Sequence, residues 1–86
     1  MTYLWLDGLP IEVNSDRDGQ PQSLIWNRKK HPIHRIFNRW IFHDYWWVDD
    51  EHEWRDYYFL ITETHLLLVI FRDVLSGSWF IYQMYD

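Results

Sequence analysis

Six stretches of the chain alternate apolar and polar side chains or run apolar over a few residues, and residues that favour turns separate most of them. Leu9-Pro10-Ile11-Glu12-Val13-Asn14 has the two-residue period of a strand with one buried face, with Pro10 tolerated near its start. Asp16-Arg17-Asp18-Gly19-Gln20-Pro21 is a turn, because Gly supplies positive φ and Pro pre-sets φ. Ser23 to Trp26 forms a second strand, and Asn27-Arg28-Lys29-Lys30 reverses the chain, with Asn suited to the left-handed region. Trp54 to Thr62 and Leu66 to Phe71 are strands joined through Glu63-Thr64-His65. Leu75-Ser76-Gly77-Ser78 leads into a last strand, Trp79 to Tyr85. At that turn Asp73 is expected to accept backbone amides, Gly77 to take positive φ, and Trp79 to pack back across the hairpin.

The stretch from Ile33 to Val48 fits two periods. Ile33, Ile36, Phe37, Trp40 and Ile41 recur at helical spacing, and Pro32 suits a first helical position. However, residues 31–47 contain no Ala, Leu, Met, Glu, Gln or Lys, and no good N-cap precedes Pro32. The reading adopted is a long, bent strand with a bulge near Asn38, which would reset the alternation and put apolar residues on both faces. The fold class is therefore all-β: a single antiparallel meander of about six strands, bent into a half-barrel or small barrel. One domain spans residues 1–86, with 1–8 as an N-terminal extension and 9–86 as the β domain.

Composition sharpens this picture. There is no alanine or cysteine, so neither a disulfide nor a thiolate metal site is available, and apolar residues (48%, with seven Trp) must supply the stability. Met1 to Leu6 lacks the basic start of a secretory signal, and the apolar run Leu66 to Phe71 is too short to span a bilayer, so a cytoplasmic location is expected.

Ten of the 23 residues from Phe37 to Phe59 are aromatic. Five of the eight Lys and Arg lie between Arg28 and Arg39, a stretch with no acid, although the net charge is −5. Interface centres are enriched in Trp, Tyr and Arg, so the first expectation is a protein-binding surface carried by Arg35, Arg39, Trp40, Trp46, Trp47 and Trp54. An edge strand such as Trp54 to Leu60 would offer pairing to a partner strand or to a second copy of the chain. The alternative is weak single-stranded nucleic-acid binding, with Arg28, Lys29, Lys30, Arg35 and Arg39 on phosphates and Trp faces stacking on bases. A bland reading stands beside both: the Trp side chains fill the core and the cations solvate a hairpin.

Other chemistries are weakly indicated. His31 and His34 have His-x-x-His spacing, but Pro32 lies between them and no cysteine completes a site, so no metal or cofactor is expected. No nucleophile elbow or phosphate-cradling Gly loop is present, and Asp49, Asp50, Glu51 and Glu53 form a solvated acidic run, so the chain is expected not to be an enzyme. Trp faces also stack on sugars, which only composition favours.

Several motifs occur in a distinctive order: Pro10-Ile11-Glu12-Val13, Asp18-Gly19-Gln20-Pro21, Asn38-Arg39-Trp40, Trp46-Trp47, Arg55-Asp56-Tyr57-Tyr58, Phe71-Arg72-Asp73 and Ser76-Gly77-Ser78-Trp79. From Leu9 onward the chain resembles a small bacterial family of unknown function. Its members occur as stand-alone proteins, and related segments lie at the C-terminus of Y-family-like, mutagenesis-associated DNA polymerase homologues. The resemblance implies an accessory module near DNA-damage tolerance, with such a polymerase homologue as a candidate partner, and supplies no catalytic residues.

Overall fold

A computed structural model describes residues 2–45 and 52–85. Six strands follow one another without a helix among the described residues: β1 (Thr2–Ser15), β2 (Pro21–Trp26), β3 (Lys29–Tyr45), β4 (His52–Thr62), β5 (Leu67–Asp73) and β6 (Trp79–Tyr85). Every pairing is antiparallel, and β1 pairs with both β2 and β6, so the ring closes into a small barrel. No described helix is long and apolar enough to cross a membrane.

The turns follow from their residues. Asn27 and Arg28 form a two-residue hairpin with φ of 51° and 63°, the primed turn whose twist matches the flanking strands. Lys29 and Lys30 already belong to β3. Asp16 Oδ1 accepts the amides of Asp18 and Gln20 in the first turn. Asp73 Oδ1 accepts those of Leu75 and Ser76 in the last, where Gly77 takes φ of +78°. Trp79 is buried beside Tyr58 in the barrel core, with ring centroids 5.7 Å apart.

Two bulges shape β3. Its register against β4 shifts between Ile33 and Arg35 and again between Ile36 and Asn38. Each shift adds a residue, so Ile33, Ile36 and Arg39 face inward at intervals of three rather than two. The apparent helical period is thus a strand with two bulges, one of them where the sequence placed it. A further bulge at Tyr82 lets Ile81 and Met84 both reach the core.

Residues 2–8, read from the sequence as an extension, belong to the barrel: Thr2, Tyr3 and Leu4 pair with Tyr85, Met84 and Gln83. The correction has a physical cause in Trp5–Gly8. These four residues stand opposite the single residue Tyr82 and loop outward, so the apolar start of β1 rejoins β6 on the far side of an apparent break. A second correction concerns β4. It is no edge, since β3 pairs with it from Thr62 to His52 and β5 from Ile61 to Arg55.

Two apolar clusters result. The interior holds Leu24, Tyr58, Leu60, Leu68, Ile70, Trp79, Ile81 and Met84, with Trp5 and Trp26 packed against them. The outer face of β4–β6 carries the second, with Tyr57, Val69 and Phe71 buried and Phe59, Phe80 and Tyr82 beside them. An outer face this apolar needs a cover.

Candidate functional site

Alternation along β3 and β4 decides what each belt residue can do. Arg39 faces inward with its register partner Tyr58, whereas the next residue, Trp40, faces outward with Tyr57. Trp40 lies flat on Tyr57, with ring centroids 5.3 Å apart and planes 2° apart. Tyr57 in turn meets Tyr82 edge-on at 5.4 Å and Phe71 at 5.2 Å. Trp40 is thus a half-exposed ring on a buried aromatic floor. Leu6, Trp40, Phe42, Glu53, Arg55, Tyr57 and Tyr82 line an open cleft of about 400 Å³ above that floor.

Arg55 organises the cleft. Its guanidinium lies 4.4 Å from the Phe71 ring centroid, donates to Tyr57 Oη at 3.2 Å, and reaches the Leu6 carbonyl at 3.4 Å. It therefore ties the Trp5–Gly8 loop of β1 down over the outer cluster. Burial alone disfavours its charge, but the hydrogen bond to Tyr57 and the attractions of Tyr57, Glu53 and Asp7 outweigh this and raise its pKa. Gly8 lets the loop approach: a Cβ there would stand 2.7 Å from both Phe71 Cζ and Phe80 Cβ.

Arg39 has a structural task on the opposite face. Its Nε and a terminal nitrogen donate to the two carboxylate oxygens of Asp56 at 3.0 and 2.7 Å, and the guanidinium lies 5.3 Å from the Tyr58 centroid. Asp56 is buried and also accepts the Tyr58 hydroxyl at 3.2 Å. The hydrogen bonds to Asp56 raise the Arg39 pKa; burial, then the charge of Asp56, raises that of Tyr58.

The sheet therefore divides the expected recognition residues. Arg35 shares the outer face with Phe37, 5.4 Å from its ring centroid, and Trp40 lies farther along the same face. Arg39 and Trp54 belong to the inner-facing set, with Trp54 stacked on His43 at 4.8 Å. Trp46, Trp47, Asp49, Asp50 and Glu51 lie outside the described residues. Arg28, Lys29 and Lys30 are exposed at the β2–β3 turn, and none of them lines the cleft. Of the cleft residues beyond the expected set, Phe42 was legible, being two positions from Trp40. Leu6, Tyr57 and Tyr82 come from strands whose register no local pattern reveals.

His31 is buried and does not join His34. Its Nε2 donates to the Trp26 carbonyl at 3.1 Å, and Nδ1 accepts the Thr64 hydroxyl at 2.7 Å. Among the described residues no group of three or more His, Cys, Asp or Glu is placed to hold a metal. No protein-family model matches this chain, and no curated protein or solved structure shows significant similarity to it.

Proposed function

We propose that the chain is a non-catalytic protein-interaction module of the bacterial cytoplasm, acting in a DNA-repair or translesion-mutagenesis context with a Y-family-like polymerase homologue as partner. The observation that carries the interaction reading is Trp40, 40% exposed and stacked on buried Tyr57 at the wall of the open cleft. A large ring held by its neighbours loses little freedom on binding, which is what an interface anchor requires. The repair context rests on the family resemblance.

One observation favours nucleic acid instead: Arg28, Lys29 and Lys30 are all exposed and, among the described residues, make no ion pair. Geometry weighs against a combined site. Trp40 lies ten residue steps along β3 from Lys30, up to about 33 Å at the rise of a β-strand, so the cations and the cleft would not serve the same few nucleotides.

Trp fluorescence separates the readings. A purified polymerase homologue should shift the emission, and Trp40→Ala should abolish the response while neutralising Arg28, Lys29 and Lys30 leaves it intact. The competing pattern is quenching by a single-stranded oligonucleotide that weakens steeply between about 50 and 200 mM salt and vanishes on charge neutralisation. That result would replace the protein-binding reading.

A further inference from the structure

Among the described residues, β3 leaves a long stretch of one strand edge unpaired. β2 pairs with β3 only from Lys29 to Pro32, and among the described residues no strand takes over that edge from Arg39 to Phe42. An unpaired edge presents alternating amide and carbonyl groups to any chain able to complete the ladder. Proteins blunt such edges with bulges, proline or charges directed across them. β3 has its two bulges between Ile33 and Asn38, but its register from Asn38 onward is regular. The one charge in the run, Arg39, is bound to Asp56 on the neighbouring strand. Trp40, Ile41 and Phe42 remain 40, 61 and 43% exposed.

The other exposed edge is less suited to pairing. β1 is regular against β6 only from Thr2 to Leu4 before its loop, and Pro10 removes a donor soon after.

We infer that β3 pairs antiparallel with β3 of a second copy of this chain, about a two-fold axis through Ile41. The run is self-complementary. A two-fold perpendicular to the sheet keeps each face on its own side, so residues of the same parity oppose one another. Centred on Ile41, this register sets Ile41 against Ile41, and Trp40 against Phe42 twice on the outer face. Aromatic cross-strand pairs of this kind favour one register over its neighbours. The dimer would join the outer faces of two barrels into one sheet and bring their clefts side by side. It does not depend on what the cleft binds.

Sedimentation tests the inference. The molar mass should rise from 10.9 kDa towards twice that value as protein concentration increases between about 5 and 500 µM. Ile41→Lys should keep it at the monomer value with unchanged circular dichroism, because two lysines would meet at the axis. Ile41 does not line the cleft, so the partner titration should survive this variant, whereas Trp40→Ala removes it. The absence of cysteine allows a second test independent of that variant's folding. Under mild oxidation Ile41→Cys should cross-link at least tenfold faster than Leu75→Cys, whose site is equally open at 59% exposure but lies in a turn. A wild-type chain that remains monomeric throughout, a dimer that survives Ile41→Lys, or equal cross-linking rates would each overturn the inference.

Discussion

Replacing Gly8 with alanine isolates the contact that lays β1 over the outer aromatic cluster. Gly8 has φ of +87° and Gly77 +78°, so both substitutions impose a left-handed backbone on a residue with a Cβ. That strain is worth about 1–2 kcal/mol, partly offset by the stiffer unfolded chain, which returns about 0.4–1 kcal/mol. The surroundings differ. Nothing lies within 4 Å of a Cβ at Gly77, whereas one at Gly8 would approach Phe71 Cζ and Phe80 Cβ to 2.7 Å. Carbon atoms prefer about 3.5–4.0 Å, and overpacking adds about 1–3 kcal/mol. Gly77→Ala should therefore cost about 0.5–1.5 kcal/mol and Gly8→Ala about 2–4 kcal/mol. For a chain of this size the larger loss lowers the melting temperature by roughly 10–25 °C. Urea titrations followed by circular dichroism give both values, and near-ultraviolet signals should report disturbed packing around Phe71 and Tyr57 only in Gly8→Ala. Equal losses in the two variants would refute the close approach of β1 to Phe71 and Phe80.

Arg39→Ala should destabilise the chain by about 1–2 kcal/mol in urea titration, since it strips Asp56 of its cation, while the exposure of Arg39 keeps the loss below that of a fully buried pair. Arg28→Gly should gain up to about 1 kcal/mol by relieving a left-handed residue at φ 63°, and a loss would show that the Arg28 side chain contributes to stability. Tyr58 holds its proton more tightly when folded, because burial and Asp56 raise its pKa above the ordinary 10.0. Its contribution is complete below about pH 10 and is lost as pH rises through the folded value, so unfolding midpoints at about pH 8 and 11 should differ less in Tyr58→Phe.

Where a turn announces itself locally, the chain was readable: Asp-Gly at 18–19, Asn27 and Ser-Gly at 76–77 divide the strands where the structure divides them. The apolar spacing of β3 was ambiguous for a specific reason. Two added residues, His34 and Phe37, turn a period of two into an apparent period of three, and only one of the bulges left a cue near Asn38. The role of residues 2–8 was hidden because Asp7-Gly8 looks like a break and serves as an excursion over Phe71. Which strand forms an edge depends on ring order and register, so Trp54 to Leu60 appeared available in sequence and is enclosed in structure. For the site, composition placed Arg39 and Trp40 on one surface, whereas strand alternation sets them on opposite faces and joins Trp40 with Phe42; Tyr57 and Tyr82 beneath them depend on register, which no local pattern carries.

Four consecutive residues, Arg39-Trp40-Ile41-Phe42, face three different environments. Arg39 closes the barrel rim over Asp56, Trp40 and Phe42 wall the cleft, and Ile41 is exposed beyond the core. Stability accounts for the first of these. Among the described residues, β3 contributes no hydrophobic side chain to the interior cluster past Ile36, yet the strand continues to Tyr45. Trp40, Ile41 and Phe42 remain substantially exposed in the folded chain, and an exposed apolar run on a regular edge invites association. A protein that needed only to fold could end β3 at its last core contact or carry lysine in place of Ile41. Extending the strand with a Trp-Ile-Phe run makes sense if those side chains are covered in use, with the cleft residues under a partner and Ile41 against a second copy. Ile41→Lys removes the second covering alone, because Ile41 faces the other side of the sheet from the cleft, whereas Trp40→Ala opens the cleft wall and also removes one ring from each Trp40–Phe42 pair across the two-fold.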